Sequence, residues 1–101
     1  MPRAPASLVK QLEWTPLAAS AYLATLSYIA SQDPATAEAF KARVDRALAE
    51  IVEFPAIGTP AARKGERRFP VPNTGHVLNY RVFNTKIRIQ RWSRARQRSG
   101  V

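Results

Sequence analysis

At Phe54-Pro55 the apolar pattern of this chain changes period, and that switch confines it to a mixed architecture. Before it, Phe40, Val44, Ala47, Leu48, Ile51 and Val52 recur at spacings of 4, 3, 1, 3 and 1, one broad face of a helix. Lys41, Arg43, Asp45, Arg46, Glu50 and Glu53 fill the other positions. Asp33-Pro34 supplies the start signal, a capping side chain followed by a proline whose missing N–H costs nothing at the first helical position. Thr15-Pro16 repeats it and predicts an earlier helix over about 16–30, with Leu17, Ala21, Ala24 and Tyr28 on one stripe and Leu26 and Ile29 beside it. The second helix ends at Phe54, because a residue before proline avoids the α region. Joined by Ser31-Gln32 and a cap, the two helices are expected to form an antiparallel hairpin.

Period 2 governs the rest. After a loop with Gly58, Pro60 and Gly65, Arg67 to Val71 reads as a strand with Phe69 and Val71 on one face. Pro72-Asn73-Thr74-Gly75 is a turn, and His76 to Phe83 is a strand with Leu78, Tyr80 and Val82 pointing one way. Asn84-Thr85 turns the chain into Lys86 to Trp92, where Ile87 and Ile89 face inward and Lys86, Arg88 and Gln90 outward. A short strand, Gln11 to Trp14, precedes the helices, with Trp14 expected in the core. The order β-α-α-β-β-β predicts an α+β fold, a helical hairpin on one face of a small, mostly antiparallel sheet. The expected organisation is a loose leader over 1–10, a folded domain over 11–97 and a tail over 98–101. Without cysteine the chain has no disulfide, thiolate metal site or cysteine nucleophile. With no signal-like or membrane-length apolar run, the expectation is a cytoplasmic protein with no membrane contact and no cofactor.

Charge is as uneven as period. Eleven of the sixteen lysines and arginines lie after Phe54, against Glu66 alone, while residues 1–53 hold five against six acids. A field this one-sided attracts an acidic partner or a polyanion and weakens the compact state by self-repulsion. Arg63, Lys64, Arg67, Arg68, Arg88, Arg91, Arg94 and Arg96 are therefore the candidate binding residues, with Trp92 either stacking on a partner or closing the core. Arginine outnumbers lysine here nine to two, which favours bidentate contact with carboxylate or phosphate. Acid–base groups are scarce: His76 is the only imidazole, Tyr80 alternates with core residues, and Glu66 is read as tempering Arg67 and Arg68.

The phrases Tyr28-Ile29-Ala30, Asp33-Pro34, Phe54-Pro55-Ala56-Ile57-Gly58, Arg67-Arg68-Phe69-Pro70-Val71 and Leu78-Asn79-Tyr80-Arg81-Val82 come in a telling order. Together with the ending Ile87 to Gln97, they resemble the RelE/ParE toxin superfamily over about 11–97. The resemblance implies a toxin of a bacterial type II toxin–antitoxin module, neutralised by a cognate antitoxin with an acidic, partly disordered segment. It implies one of two actions: ParE-like binding to DNA gyrase, or RelE-like cleavage of mRNA on the ribosome. Cleavage would draw on Arg68, Arg81, Arg94 and Arg96 for phosphate, with Tyr80 or His76 moving the proton. This chain departs from the nuclease pattern at Ser93, where relatives place histidine, at Gly75-His76-Val77, where they carry arginine after the glycine, and at Pro70, where a second lysine would stand. Those departures favour the gyrase reading, which requires binding rather than proton transfer. A plain basic module that holds nucleic acid is the third reading.

Overall fold

The computed structural model describes residues 10–95. The chain runs β1 (Gln11–Trp14), α1 (Pro16–Gln32), α2 (Pro34–Glu53), β2 (Thr59–Pro60), β3 (Glu66–Val71), β4 (His76–Val82) and β5 (Lys86–Arg94). The strands form one sheet in the order β1-β5-β4-β3-β2. β1 lies parallel to β5, and every other neighbouring pair is antiparallel. The expected α+β order is present, with one addition, the two-residue β2 inside the stretch read as loop. Residues 1–9 of the expected leader, Arg96 and Gln97 of the expected domain, and the tail lie outside the described residues.

Both helix starts follow from their caps. Thr15 Oγ1 accepts the Ala18 N–H at 3.1 Å and donates to the Gln90 carbonyl at 3.1 Å, so the cap also ties α1 to β5. Asp33 serves both helices: its N–H donates to Ile29 O at 2.8 Å, and its carboxylate accepts Ala35 N–H at 3.2 Å and Thr36 Oγ1–H at 2.7 Å. The hairpin therefore turns on one residue.

The core lies between this hairpin and one sheet face. Val71, Leu78, Tyr80, Ile87, Ile89 and Trp92 meet Ala18 of α1 and Phe40, Val44, Ala47 and Ile51 of α2. The face read for α2 is the buried one. The stripe read for α1 is buried only in part: Leu17 is 71% exposed and Tyr28 67%, while Ala21 of the stripe and Leu26 and Ile29 beside it pack against the core with Tyr22, and Ala18 is buried. Pro16–Gln32 contains no charged residue, so no polar face marks its outer side, and the Thr15 anchor sets the rotation instead.

One irregularity decides where the arginines go. Asn79 pairs with Arg91 but Tyr80 with Ile89, leaving Gln90 as the extra residue of a β-bulge. Strict alternation from Ile87 and Ile89 would turn Arg91 inward. The bulge sends Arg91 to the open face and brings Trp92, 6% exposed, into the core opposite Leu78.

Candidate functional site

Pairing register arranges the open sheet face in rows. Glu13, Arg88, Arg81 and Glu66 lie side by side across β1, β5, β4 and β3. The next row is Arg91, Asn79, Arg68 and Thr59 across β5, β4, β3 and β2. Four guanidiniums and two carboxylates thus share one surface, with Arg63 and Lys64 exposed in the turn before β3.

The two ends of the charged row differ. Glu13 is a half-buried partner: Lys86 Nζ lies 3.0 Å from Oε1 and Arg88 Nε 3.3 Å from Oε2. The Lys86 hydrogen bond holds its carboxyl below the ordinary range; burial opposes it, and the Lys86 and Arg88 charges add to the lowering. Arg88 also lies over the Phe83 ring, 4.9 Å from its centroid. Glu66 is 3% exposed, with Arg91 Nε at 3.8 Å from its Oε2. Its backbone closes the preceding turn, donating to Arg63 O at 3.0 Å and accepting from Ala61 N–H at 2.7 Å.

Arg67 and Tyr80 belong to the opposite face, where they pair across strands. Arg67 Nη1 donates to the carbonyl of Gly58 at 2.6 Å and to that of Ala56 at 3.4 Å. Tyr80 Oη donates to Pro55 O at 2.7 Å and accepts Gly58 N–H at 2.9 Å. These bonds hold the chain leaving α2 so closely that a Cβ on Gly58 would stand 2.8 Å from Tyr80 Oη. Burial pushes the Tyr80 phenol above its ordinary range, against the smaller lowering effects of Gly58 and Arg67. Its hydroxyl is committed to backbone and faces away from the arginine rows.

His76, Trp92 and Arg94 meet at the far end of β4 and β5, on the helix side. His76 stacks on Trp92 with ring centroids 4.8 Å apart and planes 9° from parallel, and Phe40 meets the imidazole edge-on at 5.6 Å. His76 Nδ1 lies 3.0 Å from Thr74 O, and Trp92 Nε1–H donates to Thr25 Oγ1 at 3.0 Å. Burial lowers the imidazole pKa; the Thr74 bond opposes this and Arg94 adds to it. These rings floor an open groove of about 630 Å³, walled by α1 with Tyr28 and rimmed by Arg43 and Arg94.

The sequence candidates therefore divide. Arg68, Arg81, Arg88 and Arg91 share the open face; Arg94 and Trp92 join His76 in the groove; Arg67 braces a loop; Arg96 lies outside the described residues. Sequence reading passed over Arg43, which looked like one charge among many on α2, and the burial of Glu66. That residue's isolation among eleven cations was the available signal. Among the described residues no group of three or more His, Asp or Glu could hold a metal ion, and no helix is long and apolar enough to cross a membrane.

A family model described as the ParE toxin of type II toxin–antitoxin system, parDE, matches residues 12–98. Among solved structures, a chain of the chromosomal ParDE TA system from P. aeruginosa superposes with a TM-score of 0.77 at 20% identity. The alignment covers 88% of this chain and 99% of that one, a likeness of fold. No curated protein sequence matches the chain.

Proposed function

We propose that this chain, which belongs to the ParE toxin family of type II toxin–antitoxin systems, acts by binding DNA gyrase through its open sheet face. A cognate antitoxin with an acidic segment neutralises it. One observation carries the choice of binding over catalysis: Arg68, Arg81, Arg88 and Arg91 lie on the face opposite Tyr80 and His76, which leaves Arg94 as the one phosphate candidate beside the imidazole among the described residues. Arg68, Arg81 and Arg91 have neither Tyr80 nor His76 on their side of the sheet. Cleavage of a ribose-linked phosphodiester needs a proton acceptor and donor beside the cations that stabilise the phosphorane. A surface of guanidinium forks needs neither to grip carboxylates. The antitoxin's acidic segment competes for Arg68 and Arg91, so charge reversal at either weakens the complex, whereas Arg67→Glu acts through stability.

The deciding experiment sets purified toxin against gyrase in a supercoiling assay, with mRNA integrity followed after induction in cells. Inhibited supercoiling with intact transcripts is expected, and Arg68→Glu, at an exposed position, should weaken the inhibition strongly at a nearly unchanged melting temperature. Unaffected gyrase together with codon-linked breaks in translated mRNA would replace this reading with ribosome-dependent cleavage.

A further inference from the structure

Glu66 is the one carboxylate of the C-terminal half and is 3% exposed, yet no hydrogen bond to its Oε2 is present among the described residues. A carboxylate withdrawn from water is tolerated only beside compensating charge. The Arg91 guanidinium provides it. Arg91 Nε stands 3.8 Å from Oε2, and Arg81 is the cross-strand partner of Glu66. The Arg81 guanidinium crosses the preceding turn so closely that any Cβ on Gly65, itself at φ +82°, would collide with it. Beside this cluster a cleft of about 340 Å³ opens between Arg63, Arg91, Gln90, Thr15 and Leu17, with Glu66 in its wall. Leu17, 71% exposed, makes an aliphatic lip.

We infer that Glu66 is a positioning residue: its buried carboxylate orients the Arg91 guanidinium at this cleft, where Arg91 and Arg63 clasp an acidic side chain of the protein target. The inference rests on the gyrase reading for the identity of that target. The lip favours protein over nucleic acid, since Leu17 and the Thr15 methyl reward an aliphatic stem and offer nothing to a phosphate backbone. A planar carboxylate also matches the arginine fork. Glu66 thus subtracts one charge from the face while adding direction to what remains. Its removal should move two kinds of binding in opposite senses.

The test is Glu66→Gln in the full chain, with three measurements: gyrase inhibition, affinity for random-sequence duplex DNA, and ¹⁵N relaxation of the Arg91 Nε–H. Wild type should show an ordered Arg91 side chain that becomes mobile in the variant. The concentration for half-inhibition should rise roughly tenfold or more, as for an unpaired interfacial charge. DNA affinity should stay level or tighten, because the variant is more positive. Arg91→Lys, which keeps Glu66 and the charge but loses the fork, should reproduce the loss of inhibition and covers the case of a Glu66→Gln that fails to fold. Inhibition equal to wild type, equal Arg91 mobility in both proteins, or a parallel loss of inhibition and DNA binding in folded variants each overturns the inference. Wild type that leaves gyrase untouched, with Arg91 ordered and then released in Glu66→Gln, removes the gyrase reading and the cleft's occupant while upholding the role of Glu66.

Discussion

The Tyr80 hydroxyl serves two backbone groups at once, Pro55 O and Gly58 N–H. Tyr80→Phe leaves both without that partner, and such a loss costs about 1–3 kcal/mol. Urea denaturation should show a lower midpoint at an unchanged slope. Tyr22 is the opposite case. It stacks on Trp14 at 5.3 Å and meets Trp92 edge-on at 4.9 Å, but its buried hydroxyl has no partner among the described residues. Tyr22→Phe keeps the rings and removes the orphan, so the same measurement should show a change within about 0.5 kcal/mol or a gain. His76 makes stability depend on pH. Its folded pKa lies below the ordinary 6.5, through burial first, with Arg94 the charge across the strand pair and Thr74, Phe40 and Trp92 its other neighbours. The unfolded chain then binds more protons as pH falls through about 6.5, so stability drops there and levels off below the folded pKa. Melting temperature measured from about pH 7.5 to about pH 5 should fall in wild type more than in His76→Gln.

At the scale of elements, the caps are the most legible feature and the easiest to break. Thr15→Ala removes both the Ala18 N–H acceptor and the donor to Gln90 O, so it loosens α1 and its link to β5. A capping loss of about 1 kcal/mol is expected, and more than for the exposed Asp33→Ala, by thermal or urea melting. Thr15-Pro16 and Asp33-Pro34 announced both helix starts in the sequence because capping is local chemistry. The inward face of α2 was equally plain, since charges occupy its other positions. The rotation of α1 is only partly legible, because its outer positions are Leu, Ala, Ser and Tyr, and periodicity without contrast leaves rotation undetermined. The bulge at Gln90 was invisible for a related reason: an extra residue is defined only against the partner strand it fails to match.

At the scale of the molecule, uneven charge becomes a directed field. Net charge is +9, and the strand register collects Arg68, Arg81, Arg88 and Arg91 on the face opposite the helices. Association with an acidic partner should therefore be steered and fall with ionic strength. Stopped-flow binding to antitoxin should slow by roughly tenfold or more between about 50 mM and about 500 mM salt, with dissociation changing less. An association rate indifferent to salt would show that apolar contacts, such as those of the aromatic groove, dominate encounter.

Length, caps and the change of period at Phe54-Pro55 were enough to determine every element but the two-residue β2, their order and the α+β class, because each depends on neighbours within a few residues. Composition alone showed that the C-terminal half would be strongly basic. Which arginines act together was decided by tertiary structure. Arg67 and Arg68 are adjacent in the chain and stand on opposite faces, one bracing the Gly58 loop and the other in the open row. Arg91 and Glu66 lie far apart in sequence and meet across the sheet. A side chain's type is carried by its codon, but its company is set by strand pairing, and one bulge reverses the face that everything beyond it presents.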